Sequence, residues 1–182
     1  PDPVTGAVTV TVYQTSTYQQ DAVGQDRGYE YSRTANPTRS ALELSIAALE
    51  GANFGRAFAS GMAAEDTILR LLDPGDHVIM GNDAYGGTFR LISKVLTRFG
   101  ISYSSTNLSN PDKVKAAFKD KTKMIWAETP TNPLLSVVDI ELLATLSHDM
   151  EALLVVDNTF ATPYLQKPLS LGADLVIHSA TK

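Results

Sequence analysis

Two charged side chains follow apolar runs, where they could support the chemistry of a bound ligand. Asp157 comes directly after the run Leu153–Val156, and Lys182 comes shortly after the run Leu175–Ile177. A carboxylate at the edge of an apolar interior needs a partner, such as a helix N-terminus, a buried cation or a protonated ring nitrogen. A desolvated lysine amine can form a Schiff base or act as a base. Taken singly, each residue is more typical of a helix cap or a surface charge.

A second group of residues could hold an anion. Ser60 and Gly61 are predicted to lie between a strand and a helix, where free N–H groups and the helix dipole attract negative charge. Ser179 and Thr181 would add hydroxyl groups at the same edge. Alone, these residues are equally typical of caps and turns. The sequence contains neither GxxxxGK[ST] nor GxGxxG after a strand, so a nucleotide-phosphate loop is not supported.

The elements that would position these residues alternate between strands and helices. Apolar stripes at helical spacing predict helices near 38–50, 61–72, 89–99 and 140–150, and a cap residue followed by proline predicts the start of another at Asn110-Pro111. Short apolar runs predict strands at Arg56–Ala59, His77–Met80, Ile101–Ser105, Met124–Ala127, Leu153–Val156 and Leu175–Ile177. This alternation predicts an α/β domain over residues 38–182 with a mostly parallel sheet, preceded by an extended arm over residues 1–37. Ligands of such sheets bind beyond the carboxyl ends of the strands.

Composition excludes several classes of site. The 182 residues include no cysteine, so disulfides, thiolate catalysis and cysteine-based zinc sites are excluded within them. The net charge of −5 argues against nucleic acid as a partner. No apolar run is long enough to span a bilayer, and the first residues do not resemble a signal peptide, so we expect a cytoplasmic protein. Because the last strand is followed only by a short turn, we also expect the sequence to be part of a longer protein.

Together, these groups match what pyridoxal 5′-phosphate (PLP) requires from a protein. The ring nitrogen needs an acid, which Asp157 could supply, and the aldehyde needs a lysine, which Lys182 could supply. The phosphate needs an N–H nest with hydroxyl groups near Gly61, and the ring needs a stacking face. Tyr85, which two glycines follow, could provide that face, although an isolated loop tyrosine is more often a packing residue. The combination is far more specific than any member.

Motifs along nearly the whole chain resemble those of the transsulfuration family of PLP enzymes. The matching segments are Tyr31-Ser-Arg33, Asn36-Pro-Thr38, Ala59-Ser-Gly-Met-Ala63, Asp83-Ala-Tyr-Gly-Gly87, Glu128-Thr-Pro-Thr-Asn-Pro133, Val156-Asp-Asn-Thr159 and His178-Ser-Ala-Thr-Lys182. The resemblance implies a large domain of the aspartate-aminotransferase type (PLP fold type I). A smaller C-terminal domain, which carries the arginine for the substrate α-carboxylate, would lie beyond this sequence.

The resemblance also implies roles for individual residues. Lys182 would be the Schiff-base lysine, and Tyr85 would stack on the ring and assist proton transfer. Tyr31 and Arg33 would reach the phosphate of a neighbouring subunit, so the active sites would be shared within a homotetramer. The remaining cofactor-binding residues that the resemblance implies are Ser60, Gly61, Met62, Asn132, Asp157, Thr159, Ser179 and Thr181. No metal is expected, and the three histidines are expected to be structural.

The favoured reaction is γ-replacement, which joins cysteine to an O-acyl-homoserine to make cystathionine for methionine biosynthesis. The segments 83–92 and 169–174 are similar to those of bacterial cystathionine γ-synthases. Cystathionine γ-lyase is the alternative, with homoserine-ester sulfhydrylases behind it. Methionine γ-lyase is disfavoured, because the segment of that subgroup resembles Tyr-Gly-Cys, whereas this chain has Gly87 in place of the cysteine. The β-lyase is disfavoured as well. A non-catalytic binding or assembly fragment is the alternative from a different class, and a nucleotide-binding domain ranks well behind.

Overall fold

The computed structural model describes residues 4–182, so the first three residues of the predicted arm lie outside the described part. The chain divides into two compact units, one ending at Ala57 and the other spanning Phe58–Lys182. Each unit is described by itself. The predicted division into an arm of residues 1–37 and a domain of residues 38–182 stays a prediction.

The first unit contains one helix, α1 (Pro37–Glu50), among residues 4–57. Asn36 caps its start by accepting the N–H of Thr38 at 2.9 Å, and Pro37 fits the first turn because that turn needs no N–H donor. Gly51 ends the helix in the left-handed conformation at φ 72°, as predicted. Before α1, the described residues form only isolated bridges, between Thr17 and Tyr31 and between Ala22 and Gln25, in agreement with the absence of periodicity.

The second unit is built on a five-stranded parallel sheet with the strand order β2-β1-β3-β4-β5. Its strands are β1 (His77–Gly81), β2 (Ser102–Thr106), β3 (Thr122–Glu128), β4 (Leu153–Asp157) and β5 (Leu175–Ile177). The α-helices are α2 (Gly61–Leu69), α3 (Gly86–Arg90), α4 (Pro111–Ala117), α5 (Ile140–His148) and α6 (Thr162–Leu165). A π-helix (Leu91–Val95) and a 3₁₀-helix (Leu96–Phe99) continue α3, and a second 3₁₀-helix spans Pro168–Leu171. The predicted mostly parallel α/β architecture is confirmed.

One predicted strand is wrong. Residues Arg56–Ala59 have no strand conformation and pair with no strand among residues 4–182. A strand needs a ladder partner for its backbone groups, and here the N–H of Ala57 instead donates to the carboxylate of Glu43 at 3.0 Å. The sequence pattern identified an apolar segment, but it could not show whether a neighbouring strand is available to pair with that segment.

The central strands are buried on both faces, which explains their continuous apolar runs. On β4, Leu154 and Val156 face one core cluster, whereas Val155 faces the other. On β3, Trp126 belongs to the second cluster and is fully buried. Because all five strands are parallel, their carboxyl ends lie along a single edge of the sheet.

No helix within residues 4–182 is long and apolar enough to cross a membrane.

The substitution Leu154→Ala should lower the free energy of unfolding by about 2–5 kcal/mol, because it removes a fully buried side chain and leaves a cavity in a sheet packed on both faces. The neighbouring Leu153, which is 37% exposed, is the matched control. Leu153→Ala should cost less than about 1 kcal/mol. Denaturant unfolding of the full-length protein would measure both, and equal losses would contradict the two-sided packing.

Candidate functional site

The N-terminus of α2 presents unpaired donors. Ser60 is the N-cap residue, and its hydroxyl accepts the N–H of Ala63 at 3.1 Å. The N–H groups of Gly61 and Met62 have no acceptor among residues 4–182. Free N–H groups at the positive end of a nine-residue helix form a binding site for an anion.

Ser179 lies directly against Gly61. A side chain at position 61 would place its Cβ 3.1 Å from the Ser179 Cβ and 3.3 Å from the Ser179 Oγ. Such contacts are tighter than ordinary packing, so glycine is the residue that fits here. The approach brings the Ser179 hydroxyl to the first turn of α2, although 118 residues separate the two positions (179 − 61). The predicted meeting of these two segments is therefore seen in the structure.

A series of hydrogen bonds connects Asp157 to the turn that contains Lys182. Asp157 Oδ1 accepts the N–H of Thr159 at 2.9 Å, and the Thr159 hydroxyl accepts the N–H of Ser179 at 2.8 Å. The N–H of Lys182 donates to the Ser179 carbonyl at 3.2 Å. Asp157 is half-buried, and within residues 4–182 its carboxylate has no ion-pair partner. The carboxylate is thus held in place by Thr159 while its charge remains uncompensated by this part of the chain.

Lys182 is exposed among the described residues, and so is Thr181. β5 already ends at Ile177, and residues 178–182 have no strand conformation. No element among residues 4–182 covers the amine.

The Tyr85 ring packs against a glycine. A Cβ at Gly87 would lie 3.0 Å from the Tyr85 Cδ1 and 2.7 Å from the Met62 sulfur, and it would be closer still to the Tyr85 Cε1. Gly87 itself is buried, whereas Tyr85 is 40% exposed. The ring therefore rests on the backbone of α3 beside Met62 and keeps part of its surface open.

Glu128 accepts hydrogen bonds from two loops at this edge of the sheet, the loop after β1 and the loop after β3. It is the last residue of β3, and the strand register places it opposite Asp157, the last residue of β4. Its Oε2 accepts the N–H of Tyr85 at 2.6 Å, and its Oε1 accepts the N–H of Asn132 at 2.9 Å. The Glu128 residue is only 8% exposed. A single buried carboxylate thus holds the backbone at two predicted site residues.

A second carboxylate connects the same two loops. Asp83 Oδ2 accepts the hydroxyl hydrogens of Thr131 at 2.7 Å and Ser136 at 3.0 Å. The loop after β1 and the loop after β3 are therefore joined by Asp83 as well as by Glu128.

Glu65 is a third acid near this edge. It lies on α2, is only 4% exposed, and accepts the Thr88 hydroxyl of α3 at 2.7 Å. Burial, opposed by the Thr88 hydrogen bond and aided by the charges of Asp157 and Glu128, raises the pKa of the Glu65 carboxyl to about 7. Burial also raises the pKa of Glu128 to about 7, against the opposing effect of the Tyr85 and Asn132 N–H groups. Two buried carboxyls near this edge, those of Glu65 and Glu128, therefore both resist ionisation.

The structure brings together most, but not all, of the predicted site residues. Contacts within the second unit join these residues into two groups. The first group contains Gly61, Asp157, Thr159, Ser179 and Lys182. The second contains Met62, Tyr85 and Asn132, which Gly87 and Glu128 connect. Tyr31 and Arg33 belong to the first unit, where the Arg33 guanidinium stacks over the Tyr31 ring at 5.0 Å. Their proposed contact with a neighbouring subunit stays a prediction.

Sequence reasoning missed the contributions of Glu65, Glu128 and Gly87. Glu65 follows the buried Ala64 and precedes the buried Leu69 by one helical turn, so its place on the inner face of α2 was a readable signal. Gly87 was noted only as a glycine after Tyr85. The contacts of Glu128 join positions 43 residues apart, and no local pattern marks them.

The two acids with raised pKa values make stability depend on pH. In the unfolded chain these carboxyls ionise near their ordinary pKa of about 4.5, whereas in the folded protein they stay protonated up to about pH 7. Their contribution to stability is therefore fully present below pH 4.5 and is lost as the pH rises through about 7. Each pKa unit corresponds to about 1.4 kcal/mol.

The substitution Glu65→Gln should reduce this loss, since glutamine does not ionise and its carbonyl can still accept the Thr88 hydroxyl. Denaturant unfolding of the full-length protein without added ligand, from pH 5 to pH 8, would measure the effect. The variant should lose at least about 1 kcal/mol less stability over that interval than the wild type. An unchanged pH dependence would contradict the assignment of the buried charge to Glu65.

Known proteins match the whole chain. A family model described as Cys/Met metabolism PLP-dependent enzyme matches residues 1–182. The cystathionine γ-synthase of Mycobacterium bovis is 59% identical over 184 residues, covering 100% of this chain and 47% of that protein. The cystathionine β-lyase of Lactococcus lactis subsp. cremoris is 58% identical over 181 residues, covering 100% and 48%. The chain therefore spans about half the length of the curated relatives it matches.

Solved structures agree with these matches. The metB structure from Corynebacterium glutamicum has a TM-score of 0.97 and 55% identity, covering 100% of this chain and 48% of that one. A cystathionine γ-lyase from Lactobacillus plantarum, complexed with L-serine, has a TM-score of 0.94 and 52% identity, covering 99% and 47%. The predicted fold type and the predicted dependence of the family on PLP are both confirmed. The chain belongs to the family of Cys/Met metabolism PLP-dependent enzymes.

Proposed function

We propose that this chain is the cofactor-binding half of an enzyme that makes cystathionine from an O-acyl-homoserine and cysteine by γ-replacement. The observation that carries the cofactor assignment is the convergence of an anion-binding helix end, an uncompensated carboxylate and a lysine turn at one edge of the sheet. The choice of reaction is supported by the segments 83–92 and 169–174, which resemble bacterial cystathionine γ-synthases, and by relatives with that name.

The residues present fit a pyridoxal phosphate. The free N–H groups of Gly61 and Met62, with the Ser179 hydroxyl beside them, suit the phosphate group. The Asp157 carboxylate lacks an ion-pair partner within residues 4–182, so it suits a protonated pyridine nitrogen. The partly open Tyr85 ring suits stacking on a planar ligand. Bound PLP would supply an electron sink for bonds at the substrate's α-carbon.

The protein's own groups would position the ligand and move protons. Asp157, oriented by the Thr159 N–H, would keep the ring nitrogen protonated. The Lys182 amine would hold the cofactor's aldehyde carbon and then accept and return protons at Nζ. The Tyr85 hydroxyl would assist proton transfer at the same side. Thr159 and Asn132 would lie near the ring, while Ser60 and Thr181 would complete the phosphate site.

The exposure of Lys182 makes the rest of the protein part of the proposal. An amine that titrates usefully near neutral pH needs desolvation or a neighbouring charge, and residues 4–182 leave Lys182 exposed. We therefore propose that elements outside this chain, from a C-terminal domain or a neighbouring subunit, cover it in the assembled enzyme. This view agrees with the proposed homotetramer, in which Tyr31 and Arg33 would serve the phosphate of the adjacent subunit. The cytoplasmic location stays a prediction.

Lyase reactions are the alternative that a specific observation favours. A β-lyase is 58% identical to this chain and a γ-lyase structure is 52% identical, values close to those of the synthases. The sequence-based argument against a β-lyase is therefore weak. Methionine γ-lyase is less compatible, because a cysteine at position 87 would collide with the Tyr85 ring and the Met62 sulfur as they lie in this structure.

A steady-state comparison of three reactions by the purified full-length protein tests the reaction. We expect cystathionine to form from O-acetyl- or O-succinyl-homoserine plus cysteine at a kcat/KM at least tenfold above that for cleavage of cystathionine. Release of cysteine from cystathionine without any synthesis would show the γ-lyase instead, and release of homocysteine would show the β-lyase.

A spectroscopic measurement tests catalysis against the non-catalytic alternative. The full-length protein should carry an absorbance band near the visible edge that borohydride removes, because a lysine Schiff base is reducible. Lys182→Ala should lack the reducible band while retaining the fold. A colourless wild-type protein that takes up no PLP would support a binding or assembly role.

The substitution Gly87→Ala should lower kcat/KM by tenfold or more, because the new methyl group would force the Tyr85 ring and Met62 to move. Gly86→Ala is the matched control on the same helix. Its Cβ would meet only the flexible end of Arg90, with Nη1 at 3.3 Å, so we expect a change of less than threefold. Equal effects of the two substitutions would contradict the role of ring packing.

A further inference from the structure

The backbone at Tyr85 has few fixed contacts apart from Glu128. Tyr85 is the N-cap residue of α3, a helix of five residues, and its side chain makes no capping hydrogen bond. Its carbonyl accepts the N–H of Phe89 at 3.0 Å, which is the first bond of that short helix. Its own N–H donates to Glu128 Oε2 at 2.6 Å. Beside the bond to Phe89 and the packing of the ring on Gly87, this carboxylate contact ties the Tyr85 backbone to the end of β3.

The other oxygen of the same carboxylate fixes a different loop. Glu128 Oε1 accepts the N–H of Asn132, four residues further along the chain. Asn132 is itself exposed, so its backbone gains little from burial. A buried side chain, 8% exposed, therefore bridges two surface-exposed residues of the proposed cofactor site.

We propose that Glu128 is a positioning residue that fixes the Tyr85 ring and the Asn132 amide relative to each other by accepting one backbone N–H from each. This role rests on the proposed function, which places Tyr85 and Asn132 beside the cofactor. Glu128 would touch neither the cofactor nor the substrate. Its two carboxylate oxygens are matched to two donors, a requirement that glutamine cannot satisfy since it offers a single acceptor oxygen and a donor amide.

Asp83 provides the matched control. It joins the same two loops through the hydroxyl groups of Thr131 and Ser136, and it is half-buried. It does not accept the N–H of either Tyr85 or Asn132. The substitution Asp83→Asn keeps one oxygen that can accept both hydroxyl groups, so it tests the loss of a nearby carboxylate charge, whereas Glu128→Gln tests the bridge between the two site residues.

The first experiment measures backbone amide exchange and needs no cofactor or activity. In Glu128→Gln, one of the two N–H groups would face an amide donor instead of an acceptor. At pH 8, where the Glu128 carboxyl with its pKa of about 7 is mostly ionised, we expect amide exchange at Tyr85 or Asn132 to accelerate by about tenfold or more, since local opening no longer breaks a charge-assisted hydrogen bond. Asp83→Asn should change exchange at these two amides by less than threefold. Unchanged exchange at both amides in Glu128→Gln would overturn the proposal.

The second experiment is a double-mutant cycle on the full-length holoenzyme. If Glu128 acts through Tyr85, Glu128→Gln should lower kcat by tenfold or more in the wild type but by less than threefold in a Tyr85→Phe background, where the hydroxyl that must be positioned is gone. KM should change less than kcat, and the circular dichroism of bound PLP should change because the ring beside it has moved. Asp83→Asn and Tyr85→Phe should have independent effects.

The outcomes separate this proposal from the proposed function. Equal losses of kcat from Glu128→Gln in both backgrounds would show a merely structural role and overturn the positioning. A wild-type protein that binds no PLP and catalyses none of the three reactions would instead contradict the proposed function. The exchange experiment would still test whether Glu128 holds the two amides, because it needs neither cofactor nor activity. Should Glu128→Gln fail to fold, Glu128→Asp, which is too short to reach both donors, takes its place in both measurements.

Discussion

The site depends on the parallel register between β3 and β4, which brings two carboxylates together at the ends of neighbouring strands. Glu128 and Asp157 are register partners, so the backbone hydrogen bonds between the two strands keep them side by side. A slip of one residue in either strand would turn the side chains of that strand to the opposite face of the sheet. The apolar residues before them, buried on both faces, make such a slip costly. The core thereby determines where the polar groups lie.

Three acids near one edge create an electrostatic problem, and the fold handles each differently. Asp157 is half-buried and receives the N–H of Thr159. Glu65 and Glu128 are buried, and burial raises the pKa of each to about 7. Their hydrogen-bond donors are a hydroxyl and two backbone amides, all of them neutral. Under the proposed function, a cationic ring nitrogen would supply the ion-pair partner that Asp157 lacks within residues 4–182.

The sequence predicted the architecture and the main groups of the site because those features have local signals. Apolar runs located the five strands of the sheet, and Ser60-Gly61 marked the start of α2. The same local signals failed for Arg56–Ala59, since an apolar segment does not reveal whether a partner strand exists. They do not reveal whether Lys182 is exposed, because solvent exposure after a strand depends on elements elsewhere in the fold. The bridge made by Glu128 was missed because the register and a long-range backbone contact define it.

The choice among reactions follows a different logic from the binding of the cofactor. Proteins named as a synthase, a β-lyase and a γ-lyase are between 52% and 59% identical to this chain over essentially all of it. A cofactor needs the same phosphate site, ring partner and lysine whatever bond is broken, so this half can serve several reactions. Selectivity then requires differences where the substrate's outer substituent lies. Under the proposed function, the loops of Tyr85 and Asn132 would suit that task, because Glu128 would hold their backbone and leave their neighbouring side chains free to vary without altering the cofactor site.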